Sequence, residues 1–120
     1  MIKARILLVD DEELVRRSLA VNLKREGFEL SSAASAEEAL AILKEEPYDL
    51  LLTDYLMEGM TGIELLKLAK ELNPQMKVIV FSGYEDKDSS DEIIRLGANG
   101  FICKPVDFEE LLERIAAVLE

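Results

Sequence analysis

Four short apolar runs in this chain each end in a polar residue, with helix-length segments between them. Ile6-Leu7-Leu8-Val9 leads into Asp10-Asp11, and Leu50-Leu51-Leu52-Thr53 leads into Asp54. Val78-Ile79-Val80-Phe81 leads into Ser82, and Phe101-Ile102-Cys103 leads into Lys104-Pro105. Continuous apolar runs of this kind suit central parallel strands covered on both faces. If they share one sheet, three carboxylates, a hydroxyl and an ammonium converge on its carboxyl edge. Open α/β sheets bind ligands at that edge.

Strand and helix signals alternate five times, with no internal repeat or low-complexity stretch. The pattern predicts strands over about 4–9, 28–32, 48–53, 77–81 and 100–103, and helices over about 12–26, 36–46, 62–72, 87–97 and 107–119. Ser35 with Glu38 and Thr61 with Glu64 fit the capping-box spacing, and Asp107 with Glu110 resembles it. Gly27 and Gly97 are placed to end the first and fourth helices in the left-handed conformation. The last helix sets Phe108, Leu111, Leu112, Ile115 and Leu119 on one face, a stripe that packs on a sheet. The segment Phe28-Glu29-Leu30-Ser31-Ser32 mixes polar and apolar residues and reads as an edge strand. Repeated βα units with right-handed crossovers predict a doubly wound α/β fold with a parallel five-stranded sheet. Strand order 2-1-3-4-5 is expected, with the first and third strands meeting at the switch point.

The 120 residues suffice for one domain with a single core. No apolar run approaches the ~20 residues needed to span a bilayer, and the four-residue run after Arg5 is too short for a signal-peptide core. A cytoplasmic protein is expected. Net charge is −11, from 25 acidic and 14 basic residues. So acidic a surface repels phosphate backbones and anionic lipid, which argues against nucleic-acid or membrane binding. With no histidine in the chain, histidine catalysis, histidine metal ligation and a phosphohistidine are excluded. Cys103 is the single cysteine and is expected to be a buried small hydrophobe.

Asp10, Asp11 and Asp54 crowd at the switch point. Two unit charges 4 Å apart repel by about 4 kcal/mol at an effective dielectric near 20. Such a group needs a cation, or one carboxylate must hold a proton. Oxygen-only ligands favour Mg²⁺ over zinc or copper. Asp54 is placed to attack a phosphoryl group in line. Lys104 offers a point charge for a phosphate oxygen or the unmodified carboxylate, and Ser82 offers a hydroxyl to the same group. Lys104-Pro105 is a candidate cis peptide. Taken singly, each residue has a bland explanation: Asp10-Asp11 as a helix cap, Asp54 as a loop aspartate, Lys104 as a solvated surface lysine, Ser82-Gly83 as a turn.

From Ile6 to Leu119 the chain resembles a response-regulator receiver domain of bacterial two-component signalling. The resemblance rests on Val9-Asp10-Asp11-Glu12, Thr53-Asp54 with Met57 and Gly62 downstream, Val80-Phe81-Ser82-Gly83, Leu96-Gly97-Ala98 and Lys104-Pro105. It implies a CheY-like, flavodoxin-like three-layer sandwich forming one receiver domain over 1–120, with no output domain in this stretch. It further implies that Asp54 accepts a phosphoryl group from a sensor histidine kinase or phosphotransfer protein. Asp10, Asp11, Asp54 and the backbone carbonyl of Leu56 would hold Mg²⁺, and Lys104 would bridge to the acyl phosphate. Ser82 and Phe101 would act as the switch, altering the surface of helix 4, strand 5 and helix 5 for a downstream effector or output domain. A phosphorylation-dependent homodimer fits the same scheme. Such a domain is not an enzyme in the ordinary sense, since it acts only on its own aspartate.

Glu58 stands where the family often has proline, which predicts a more mobile loop after Asp54. Ser82 stands for a more usual threonine and Phe101 for a common tyrosine. Leu56 and Tyr84 occupy positions that tune dephosphorylation, and their bulk predicts a long-lived phosphoryl group. An interaction domain working without phosphorylation has no physical need of this cluster. An Mg²⁺-dependent phosphatase of the haloacid-dehalogenase type would need an acid where Leu56 stands. A nucleotide or flavin site would need a glycine-rich loop in place of Asp10-Asp11-Glu12.

Overall fold

The computed structural model describes residues 3–83 and 90–120. Along the chain run β1 (Arg5–Val9), α1 (Glu13–Arg25), β2 (Glu29–Ala33), α2 (Ala36–Glu45), β3 (Leu50–Asp54), α3 (Gly62–Leu72), β4 (Lys77–Ser82), α4 (Ser90–Arg95), β5 (Gly100–Cys103) and α5 (Phe108–Leu119). The strands form one parallel sheet in the order β2-β1-β3-β4-β5. This is the doubly wound architecture expected from the sequence, with the polar β2 at one edge. The start of the helix expected at 87–97 lies outside the described residues.

Alternate residues of each strand face opposite helical layers. Leu7, Val9, Leu51, Val78 and Val80 pack with Ala36 and Ala39 of α2, Leu65, Leu66 and Ala69 of α3, and Ile93 of α4. Ile6, Leu8, Leu50, Leu52, Ile79 and Phe81 pack instead with Leu19 and Leu23 of α1 and Leu111 and Ile115 of α5. Phe108, Leu112 and Leu119 flank that second cluster, completing the stripe expected of α5. Double coverage explains why β3 is buried along its whole length.

The helix ends follow local chemistry. Ser35 Oγ accepts the Glu38 N–H at 3.1 Å, and Thr61 Oγ1 accepts the Glu64 N–H at 3.2 Å. Asp107 accepts the N–H groups of Glu109 and Glu110. Gly27 and Gly97 stand at φ +99° and +112° just beyond α1 and α4, a conformation that disfavours a Cβ. The Lys104–Pro105 peptide is cis.

One expectation fails. Cys103 is exposed, not buried. Its neighbour Ile102 turns into the α1–α5 core, so Cys103 points to the opposite face. There, at the tip of an edge strand, no described residue buries it.

Candidate functional site

The carboxyl ends of β1, β3, β4 and β5 bring Asp10, Asp54, Ser82 and Lys104 to one edge. Two strands run one residue further than the apolar pattern indicates. Asp54 and Ser82 are the last residues of β3 and β4, because Tyr55 N–H bonds Phe81 O and Lys104 N–H bonds Ser82 O, both at 2.7 Å. These ladder bonds fix both side chains on rigid backbone. Asp10 is fully buried, Asp54 is 6% exposed and Ser82 is 1% exposed. Lys104 Nζ lies 2.9 Å from Asp54 Oδ2, 3.2 Å from Asp10 Oδ2 and 3.4 Å from Glu12 Oε1.

Asp10 is held at every polar atom. Its N–H donates to Ala33 O, and its carbonyl accepts from Arg16 Nη1 at 2.7 Å. Asp10 Oδ1 accepts the Glu12 N–H at 2.9 Å, and Oδ2 faces Lys104. Ser82 differs: its hydroxyl is buried and has no hydrogen-bond partner among the described residues. A buried polar group without a partner costs about 1–3 kcal/mol, a cost that an acceptor within reach of this hydroxyl would remove.

The electrostatics are asymmetric. Burial pushes the Asp54 carboxyl up, Lys104 pulls it back and the Asp10 charge adds to the rise, leaving it above the usual carboxylate value. Burial lowers Lys104, but its bonds and attraction to Asp54 and Asp10 outweigh that and hold it well above the ordinary lysine value. One ammonium serves two buried carboxylates, so the lysine is over-compensated while Asp54 is under-compensated.

Because Asp54 binds its proton more tightly in the folded chain, its contribution is favourable below the ordinary carboxylate pKa. That contribution is lost as pH rises through the elevated folded value. At pH 7 the charge is a burden, and Asp54→Asn is expected to add about 1 kcal/mol of stability without divalent ions. The gain should shrink as pH falls toward about 4. Melting curves at the two pH values check it; an Asn variant less stable at pH 7 contradicts it.

The loop from Tyr55 to Thr61 lies over this edge. Gly62 N–H bonds Tyr55 O at 3.0 Å, and a Cβ placed on Gly62 would lie 2.1 Å from the Asp54 carbonyl oxygen. Only glycine permits that approach. Met57 is buried in the core beside α2 and α3, whereas the Leu56 side chain is half exposed. Glu58 N–H donates to Asp11 Oδ2 at 3.3 Å, a bond proline could not make. Met60 N–H donates to Glu37 Oε2 at 3.1 Å. For the mobility expected from Glu58, these two bonds are a counterweight.

The structure thus brings Asp10, Asp54, Ser82 and Lys104 together. Asp11 is exposed, and its carboxylate engages the loop instead of joining the buried pair. Phe101 is half-buried on β5, and Tyr84 lies outside the described residues. Sequence reasoning passed over Glu12, Arg16 and Glu37. The first was visible in the Asp10-Asp11-Glu12 run. The other two act through long side chains on α1 and α2 and leave no local signature.

Carboxylate oxygens of Asp10, Glu12 and Asp54 lie within 4.8 Å of one another. An oxygen-only acidic set around a partly compensated Asp54 fits a hard divalent cation. Sheet order and site together define a doubly wound α/β domain with an acidic, lysine-bridged ligand edge at its switch point.

Known proteins share this combination. Residues 6–116 match the response regulator receiver domain family. The response regulator protein PilR of Pseudomonas aeruginosa is 34% identical over 119 residues, covering 99% of this chain and 27% of that protein. Sporulation initiation phosphotransferase F of Bacillus subtilis is 34% identical, covering 99% of this chain and 96% of its own length. The crystal structure of a CheY-like receiver domain protein from Methanospirillum hungatei superposes with a TM-score of 0.92 at 39% identity, covering 99% of this chain and 94% of that one. The chain belongs to the response regulator receiver domain family, the phosphorylation-dependent signalling modules of two-component systems. It spans about a quarter to a half of the length of several curated relatives it matches. Among the described residues, no helix is long and apolar enough to cross a membrane.

Proposed function

We propose that this domain is a switch whose Asp54 takes a phosphoryl group from a phosphohistidine on a sensor kinase or phosphotransfer protein. The observation that carries this reading is Lys104 Nζ, 2.9 Å from Asp54 Oδ2, with a buried Ser82 hydroxyl on the neighbouring strand end that has no hydrogen-bond partner among the described residues. An Asp54 carboxylate oxygen attacks phosphorus in line; a P–O bond forms as the donor's P–N bond breaks, and the imidazole leaves with its electron pair. Lys104 keeps its place beside Asp54 and follows charge onto a phosphoryl oxygen. Ser82 donates its hydroxyl proton in a hydrogen bond to another phosphoryl oxygen.

Asp10, Asp11, Asp54 and the Leu56 backbone carbonyl would hold Mg²⁺. When bound, the ion supplies charge neutralisation on the phosphoryl oxygens. Asp11 accepts the Glu58 N–H through Oδ2 alone, so its other oxygen is available as a ligand. Mg²⁺ is expected to raise the melting temperature by mass action, and Asp11→Ala to weaken that response. An unchanged melting temperature at saturating Mg²⁺ in the wild type would remove the metal assignment.

Capture of the phosphoryl group by Ser82 lets Phe101 turn inward, which alters the surface of α4, β5 and α5 for an effector or output domain. Phosphorylation shifts this equilibrium only by its differential stabilisation of the active state. The domain acts on its own aspartate alone, works in the cytoplasm and binds neither nucleic acid nor membrane. Its phosphorylated form has the means to pair through the altered face. Label transfer from a phosphohistidine donor tests the reading. Wild type should gain Mg²⁺-dependent label released by hydroxylamine, as an acyl phosphate is; hydroxylamine-stable label, or equal labelling of Asp54→Asn, would count against it.

A further inference from the structure

Glu37 lies in the first turn of α2, on a helix that supplies none of the site's side chains. It nevertheless reaches the tip of the loop that leaves Asp54. Glu37 Oε2 accepts the Met60 N–H at 3.1 Å, and a Cβ placed on Gly59 would lie 2.9 Å from the same oxygen. Gly59 stands at φ +83°, so the turn presents bare backbone to the carboxylate. At the loop's base, Gly62 N–H bonds Tyr55 O and Gly62 lies against the Asp54 carbonyl. Between base and tip, Met57 is buried in the core. The loop is therefore tied at its tip, its middle and its base, and the base includes the backbone of Tyr55 next to the acceptor.

We propose that Glu37 is a positioning residue for the phosphoacceptor site, holding from α2 the loop that shapes the backbone next to Asp54. This rests on the reading of Asp54 as acceptor, and it assigns Glu37 a part in that chemistry without contact to the reacting atoms. The competing account gives Glu37 only a helix-terminal electrostatic role, as any acid in a first turn has. The two accounts differ in what alanine does. Loss of a helix-end charge lowers stability and leaves the site untouched. Loss of a loop anchor changes the site's affinity and rate.

Wild type, Glu37→Gln and Glu37→Ala are to be compared for Mg²⁺ affinity, phosphorylation rate with acetyl phosphate, and amide hydrogen exchange at Met60. In Glu37→Ala, Mg²⁺ affinity and rate should each fall about tenfold, the scale seen when a group orienting a ligand is removed. Glutamine keeps an acceptor oxygen and should restore both to within about twofold of wild type. The Met60 amide should be protected in wild type and Glu37→Gln, and exposed in Glu37→Ala. Wild-type affinity and rate in a folded Glu37→Ala would overturn the proposal. So would an unprotected Met60 amide in the wild type, which decides the matter even if the alanine variant does not fold. A wild type that takes up no phosphoryl group would remove the reading of Asp54 and this proposal with it, an outcome distinct from an indifferent alanine variant.

Discussion

Gly62→Ala is expected to lower stability by about 3 kcal/mol and the melting temperature by about 10 °C. The cause is steric. The new methyl carbon would lie 2.1 Å from the Asp54 carbonyl oxygen and 3.0 Å from the Tyr55 Cα, and both are backbone. Neither side yields cheaply, because Asp54 ends a strand buried at every position and Gly62 begins α3 behind the Thr61 cap. Relief requires moving the end of β3 or the start of α3. The movement falls on Asp54, so a folded remnant should also be phosphorylated more slowly, since even about 1 Å of misplacement can cost a hundredfold. Thermal melting checks the first effect. A variant that melts with the wild type would mean that the loop adapts and that Gly62 sets no geometry.

Lys104→Met is expected to cost about 3 kcal/mol at pH 7 in the absence of divalent ions. Methionine keeps most of the apolar stem, so the loss is that of the ammonium. It leaves the carboxylates of Asp10, fully buried, and Asp54, 6% exposed, facing each other without a cation. Two remedies should restore stability. Acid should do so by protonating Asp54, whose carboxyl is already raised and loses its compensating partner. Mg²⁺ should do so by binding the folded state. The deficit relative to wild type should therefore be largest at neutral pH in chelator and smallest at low pH or in saturating Mg²⁺. A deficit independent of both conditions would mean that Lys104 stabilises through packing alone.

Much of this arrangement was legible in the sequence, and the reason is the period of the strands. Continuous apolar runs marked the covered strands β1, β3 and β4, and the mixed run at residues 28–32 marked β2 as an edge. A polar residue closing each run is what places Asp10, Asp54, Ser82 and Lys104 on one edge, because parallel strands end on the same side. Caps at Ser35, Thr61 and Asp107 were legible because their partners lie two or three residues away.

The less legible features depend on contacts between distant elements. Glu37 meets Met60 across 23 residues, and Asp11 meets the Glu58 N–H across 47. No periodicity encodes either contact. The exposure of Cys103 depends on which face of β5 is left open, which apolar neighbours in sequence do not reveal. The pairing of Glu12 with Lys104 across 92 residues was hidden by the stronger signal of Asp10-Asp11. Gly62 stood out in sequence as part of the motif downstream of Asp54, but its close approach to the Asp54 carbonyl depends on how α3 packs against the end of β3.

Intact-mass spectrometry after incubation with acetyl phosphate tests the central claim most directly, run with Mg²⁺ and with chelator on wild type and Asp54→Asn. One phosphoryl group is expected on wild type, in Mg²⁺ only, and none on Asp54→Asn. An adduct of the same mass on both proteins, or none on a folded wild type that also fails to hold beryllofluoride, would contradict Asp54 as the phosphoryl acceptor.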